Sequence, residues 1–213
     1  YAVMRIILVG RYMRAASRSP ARALALDHAL GFGIAAAIWL ASSMTPVPWR
    51  YALWAVALIV DLGTAVVASR HSVTVPPHAS HLPERFGLFT LILLGEAIVA
   101  IMTGIQQQPE WSVAAAATAL SGVGLVCAIW WAYFDGVDAT GDRHVRCSAD
   151  SRRLAAWSAA HLPLYLGIAL FGVAVEHAVR GGGWQVLHGE EAALVALAAG
   201  LIVSALAVLR GAR

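Results

Sequence analysis

Six times in 213 residues the chain enters an apolar stretch long enough to cross a lipid bilayer. The stretches run roughly Leu24–Ser43, Tyr51–Ser69, Glu84–Ile105, Ser112–Phe134, Leu154–Val179 and Glu191–Leu209. Each holds about 19–26 residues, and an α-helix needs ~20 to span a hydrocarbon core of ~30 Å. Composition agrees: 60% of residues are hydrophobic and 13% charged, with a mean hydropathy of +0.71, far from the average of a soluble domain. The fold class expected is an all-α polytopic transmembrane bundle of six complete spans plus one partial N-terminal span.

The partial span is Tyr1–Met13, which is short and carries Arg5 and Arg11. Its abrupt start reads as the remaining end of a severed span, so that 1–213 is the C-terminal part of a longer chain. A surface-lying amphipathic helix is the other reading of this segment. The connections are too short to hold a soluble domain, so residues 1–213 are expected to form a single integral-membrane helical domain.

All fifteen basic residues are arginine, and their placement is uneven. Arg14, Arg18, Arg22, Arg70, Arg85, Arg143, Arg146, Arg152, Arg153, Arg210 and Arg213 lie in alternate connections or at the C-terminus. The other connections hold only Arg50 and Arg180. This asymmetry follows the positive-inside rule and predicts a multi-pass membrane protein whose arginine-rich connections and C-terminus face the cytoplasm. The net charge of +3 is therefore a topology signal, and no nucleic-acid partner is expected. Cys127 lies in a span and Cys147 in a connection, which gives no basis for a disulfide framework.

Polar residues inside the spans carry what functional signal there is. Glu96 lies twelve residues after Glu84, about 18 Å along a helix at ~1.5 Å per residue. A charged group at that depth costs roughly 2.5–3.5 kcal/mol on insertion scales. Arg85 and Glu96 fall within about 20° of one another around a helix, with Phe89 and Ile92 between them on the same face. Gly87 and Gly95 are expected to bring neighbouring backbones close. Asp61 is central in its span, and His161 lies about a third of the way into another. Glu96, Asp61 and His161 are thus the candidate ion or proton site; the competing reading is a satisfied polar network that orients helices. Arg85, Glu84, His81 and Asp135 are candidates for a cytoplasmic gate.

Small residues suggest packing faces: Ala192, Ala196, Gly200 and Ser204 on one span, and Ala114, Thr118 and Gly122 on another. Trp49, Trp54, Trp111, Trp130, Trp131 and Tyr133 read as an interfacial aromatic belt. Pro163 is expected to kink or loosen its helix. His71, His78, His81 and Glu84 match no tight metal pattern and read as a solvated loop; no metal site and no cofactor are expected. Nothing resembles a phosphate-binding loop or a nucleophile elbow.

The run His81-Leu-Pro-Glu-Arg-Phe-Gly-Leu-Phe-Thr-Leu-Ile-Leu-Leu-Gly-Glu96 resembles the signature of the bacterial low-temperature-requirement A (LtrA) family. Trp130-Trp131-Ala-Tyr-Phe-Asp135 and His161-Leu-Pro-Leu-Tyr-Leu-Gly-Ile, with Glu176-His177 downstream, agree with it. The resemblance runs in order from about Tyr51 to Val179. It implies a longer polytopic membrane protein whose N-terminal half carries a Glu-Leu-Phe-Phe-Asp-Leu type motif. That motif is lacking here, so a site shared between halves would be incomplete. The family name records growth in the cold and specifies no reaction.

The function expected is transport of a proton, an ion or a small solute through buried carboxylates, with the lipid bilayer, the solute and the missing N-terminal half as partners. The alternative is a non-catalytic protein that senses or organises the bilayer. An enzyme acting on lipid through His81–Arg85 and Asp135 is the weaker third reading.

Overall fold

A computed structural model describes residues 1–17, 21–68, 71, 78, 81–108, 110, 112–135, 145–183 and 189–212. Among them are seven helices: α1 (Ala2–Ala16), α2 (Arg22–Ser43), α3 (Trp49–Ala68), α4 (His81–Gln106), α5 (Val113–Phe134), α6 (Ser148–Arg180) and α7 (Gly189–Gly211). Helices α2 to α7 are each long and apolar enough to cross a membrane. The described residues contain no strand. The chain divides into two units: Tyr1–Pro77 with Val145–Ser151, and His78–His144 with Arg152–Arg213.

In the first unit α1 packs on α2, and α2 on α3. The α2–α3 crossing is close, because a Cβ at Gly31 would overlap the Thr64 side chain. At the far end of α2, Ser42 Oγ donates to the Trp39 carbonyl at 2.7 Å and accepts from Trp54 Nε1 at 3.1 Å. Arg50 Nε donates to the Thr45 carbonyl at 3.0 Å. The turn between α2 and α3 is thus closed by side chains that complete the loose ends of the backbone.

The second unit is organised around α6. In its most apolar stretch 44% of residues are buried, against 22–28% in the other five spans, which makes it the central helix. Glycines let it sit close to its neighbours. A Cβ at Gly172 would lie 3.0 Å from the Ala97 Cα of α4, and one at Gly104 of α4 would lie 2.8 Å from the Glu176 carbonyl. On the α7 side, a Cβ at Gly167 would lie 2.8 Å from Ile202. In lipid, packing contacts replace the hydrophobic drive, so such approaches supply much of the association. Helix α6 continues unbroken through Pro163.

After α6 the backbone reverses through Gly182 and Gly183, at φ +92° and +66°. A Cβ at Gly183 would lie 2.4 Å from the Ala114 carbonyl, so both conformation and space require glycine there. Gln108 Nε2 donates to the Val179 carbonyl, and Arg180 donates to Gln107 at 3.1 Å. The end of α4 is thereby tied to the end of α6. Ser112 caps α5 by accepting from the Ala115 N–H at 3.0 Å.

Several expectations change. The Ala192–Ala196–Gly200–Ser204 stripe is exposed, and α7 buries Ala198, Ile202, Ala205 and Leu209 instead. Gly95 has nothing within 4 Å of its Cβ position, and Gly87 faces the Phe134 ring at an ordinary 3.5 Å. Trp49, Trp54, Trp130 and Trp131 are exposed as a belt requires, but Tyr133 is fully buried. Trp111 lies outside the described residues.

Candidate functional site

Asp61 is buried in the first unit, and its partner comes from the short helix α1. Arg5 Nη2 lies 3.0 Å from Asp61 Oδ2, with the two side chains 18% and 7% exposed. The Tyr1 hydroxyl donates to the same oxygen at 3.0 Å, and Arg5 in turn donates to that hydroxyl. The guanidinium also lies over the Tyr1 and Phe32 rings, 4.8 and 4.6 Å from their centroids. The carboxylate is thus neutralised by a cation that cannot lose its proton, and that cation is further held by two aromatic faces. The sequence signal was two opposite charges, Arg5 and Asp61, each flanked by apolar residues within its helix.

His161 lies at the heart of the second unit with no exposed surface. Its Nδ1 is 2.8 Å from the Trp157 carbonyl, and its Nε2 is 2.9 Å from the Tyr133 hydroxyl. A carbonyl only accepts, so Nδ1 carries a hydrogen, and in the neutral tautomer that this fixes, Nε2 is the acceptor for the Tyr133 hydroxyl. Around it stand Phe86, Trp157, Tyr165 and Tyr133, with centroids 4.2, 4.4, 5.6 and 5.7 Å away. Tyr165 and Thr90 both donate to the Phe86 carbonyl, at 2.9 and 2.8 Å.

Phe86, Tyr133 and His161 belong one to each of the three segments that resemble the family signature, and the structure gathers them here. Tyr133→Phe is expected to cost about 1–3 kcal/mol by leaving the Nε2 atom without this donor. Chemical unfolding of the detergent-solubilised chain measures it. A change within experimental error would show that the bond contributes nothing.

Glu96 differs from both. The buried face of α4 is Pro83, Gly87, Thr90, Leu94, Ala97, Ile101 and Gly104. Arg85, Phe89, Ile92 and Glu96 share a face, as expected, and all four are exposed. Among the described residues Glu96 has no hydrogen bond or ion pair. It is a mid-span carboxylate left unpaired among the described residues.

The gate candidates do not form one cluster of contacts. His81 Nδ1 and Glu84 Oε2 are 3.4 Å apart and mostly exposed, a pairing of little energetic weight. Arg85 is exposed beside them. Asp135 instead terminates α5 and lines a shallow cleft with Ala128, Trp131, Ala132 and Arg210. His71 pairs with Asp27 at 2.9 Å. No group of three or more metal-ligating side chains occurs among the described residues, and Cys127 and Cys147 are both free and exposed.

Six apolar helices with polar groups buried between them define a polytopic helical membrane protein. More narrowly, the chain belongs to the bacterial low temperature requirement A protein (LtrA) family, whose model matches residues 1–213. Neither a curated protein nor a solved structure matches the chain at a significant level.

Proposed function

We propose that this chain is a transporter or channel-like protein for a proton, an ion or a small solute, with Glu96 as the group that takes up the cargo. One observation carries the reading: Glu96 is exposed on the outer face of a 26-residue apolar helix and has no partner among the described residues. Facing hydrocarbon alone, such a group costs roughly 2.5–3.5 kcal/mol. The cost is offset if the face lines a water-accessible path and binds a proton or a cation there. Asp61 and His161, engaged with Arg5 and Tyr133, each hold the helices of their own unit in place. The arginine asymmetry supports an orientation with the C-terminus in the cytoplasm.

Flux across liposomes tests the reading directly. Wild-type protein should pass protons, or one of a panel of ions and small solutes, and Glu96→Gln should remove most of that flux while keeping the fold. Equal flux from the two proteins would sink the proposal.

The alternative is a non-catalytic protein that organises or senses the bilayer. It is favoured by the partnered state of Asp61 and His161, since satisfied polar groups act as interhelical struts. On that reading neither protein passes solute. Glu96→Gln and Glu96→Leu then both fold normally, because Glu96 has no partner among the described residues for either change to remove.

A further inference from the structure

We propose that the cleft lined by the C-terminal ends of α5 and α7 binds a zwitterionic phospholipid with a primary ammonium headgroup, of the phosphatidylethanolamine class. The cleft has a volume of about 350 Å³ and is lined by Ala128, Trp131, Ala132, Asp135 and Arg210. That lies within the roughly 300–1,000 Å³ of small-ligand sites.

Its lining is divided by charge. Asp135 and Arg210 are both exposed and face the same cleft, yet they form no ion pair with one another. A ligand that carries both charges can bridge them. Asp135 is the C-terminal cap of α5, its N–H bonded to the Trp131 carbonyl at 2.9 Å. Asp135 thus adds its charge at the negative end of the macrodipole, where the last carbonyls of the helix lack intrahelical donors. Carboxylate and carbonyls together favour a cation that has N–H bonds to donate. A primary ammonium has three such bonds and a quaternary ammonium has none. Arg210 supplies a guanidinium, whose planar fork matches a phosphate. One acid and one base leave the site without net charge, which disfavours a purely anionic headgroup.

The rest of the lining argues for a membrane lipid. Ala128 and Ala132 continue the face of Leu125, which is 53% exposed, from the charged end of α5 back into the span. That is the course an acyl chain would take below its headgroup. Trp130 and Trp131, 48% and 66% exposed, stand at the same end of the helix, where indoles mark the level of the headgroups.

The test uses the full chain in detergent, titrated with phosphatidylethanolamine, phosphatidylcholine or phosphatidylglycerol of matched acyl chains. Bound lipid is counted by native mass spectrometry, and the midpoint of thermal unfolding is followed. Phosphatidylethanolamine should bind about tenfold tighter than phosphatidylcholine, the effect of one charge-assisted interaction. Asp135→Asn should abolish that preference. Arg210→Gln should weaken both lipids, and Arg210→Lys, which restores the charge without the planar fork, should recover them only in part. Water-soluble glycerophosphoethanolamine, which has no acyl chains, should bind far more weakly.

The proposal is overturned by equal binding of the first two lipids to the wild type, or by a preference that survives Asp135→Asn. Tighter binding of phosphatidylglycerol, or glycerophosphoethanolamine binding as well as the lipid, would also overturn it. Both substituted side chains are exposed, and circular dichroism checks that the variants fold.

Discussion

Asp61→Ala is expected to destabilise the protein by about 3 kcal/mol, the lower end of the range for removing one partner of a buried ion pair. The cost comes less from the lost attraction than from what remains. Arg5 stays charged under all accessible conditions, and its helix offers no other acid. With its side chain 18% exposed, the guanidinium can partly reach toward water along its stem, which places the value at the lower end. Arg5→Met in the Asp61→Ala background should recover most of the loss, since two apolar groups need no pairing. Unfolding of the detergent-solubilised chain by a denaturing surfactant, run as a double-mutant cycle, measures the coupling. An Asp61→Ala cost below about 1 kcal/mol would place the pair among exposed bridges of little weight. The pair would then contribute little to holding α1 in the first unit.

The helices were largely legible in the sequence, because a span must be continuously apolar and its ends are marked by proline, arginine and tryptophan. The expected Leu24–Ser43 and Ser112–Phe134 lie within two residues of the observed Arg22–Ser43 and Val113–Phe134. Which face of a helix is buried was much harder to read. In water a polar stripe identifies the outside, but in lipid both faces of α7 are apolar and alanine-rich. The every-fourth-residue stripe therefore gave the wrong side. The close helix approaches came from the same ambiguity. Gly104, Gly167 and Gly172 sit at crossings of α6 with α4 or α7, whereas Gly95 does not, and glycine spacing within one helix does not specify the neighbour.

The polar groups show the same division. The shared face of Arg85 and Glu96 follows from helical geometry alone and is observed. The partners of Asp61 and His161 do not follow from it, because they come from other helices: Arg5 from α1 and Tyr133 from α5. Tyr133 illustrates the reason. Its position near a span end suited an interfacial belt, yet its hydroxyl has a buried acceptor and its ring packs against His161. A tyrosine satisfies either environment, so local sequence cannot decide between them.

Trp157 is the residue whose loss should expose how much that aromatic cluster contributes. Its side chain is fully buried. It meets Phe86 edge-on at 5.0 Å and His161 at 4.4 Å, and its carbonyl receives the His161 ring. In soluble cores Trp→Ala costs about 3–5 kcal/mol through lost transfer energy and a residual cavity. In a bilayer the transfer part shrinks, because lipid tails are as apolar as the protein interior. The cavity and lost dispersion contacts remain, so Trp157→Ala is expected to cost about 3 kcal/mol. Trp131→Ala, at a position 66% exposed, should stay within about 0.5 kcal/mol and serves as the control. Combining Trp157→Ala with Tyr133→Phe should cost less than the sum of the two, because a His161 ring freed on one side no longer holds a fixed bond on the other. Unfolding curves for the wild type and these four variants decide the matter. Strict additivity, or equal effects at Trp157 and Trp131, would mean that the rings around His161 fill space independently and do not hold the histidine as a unit.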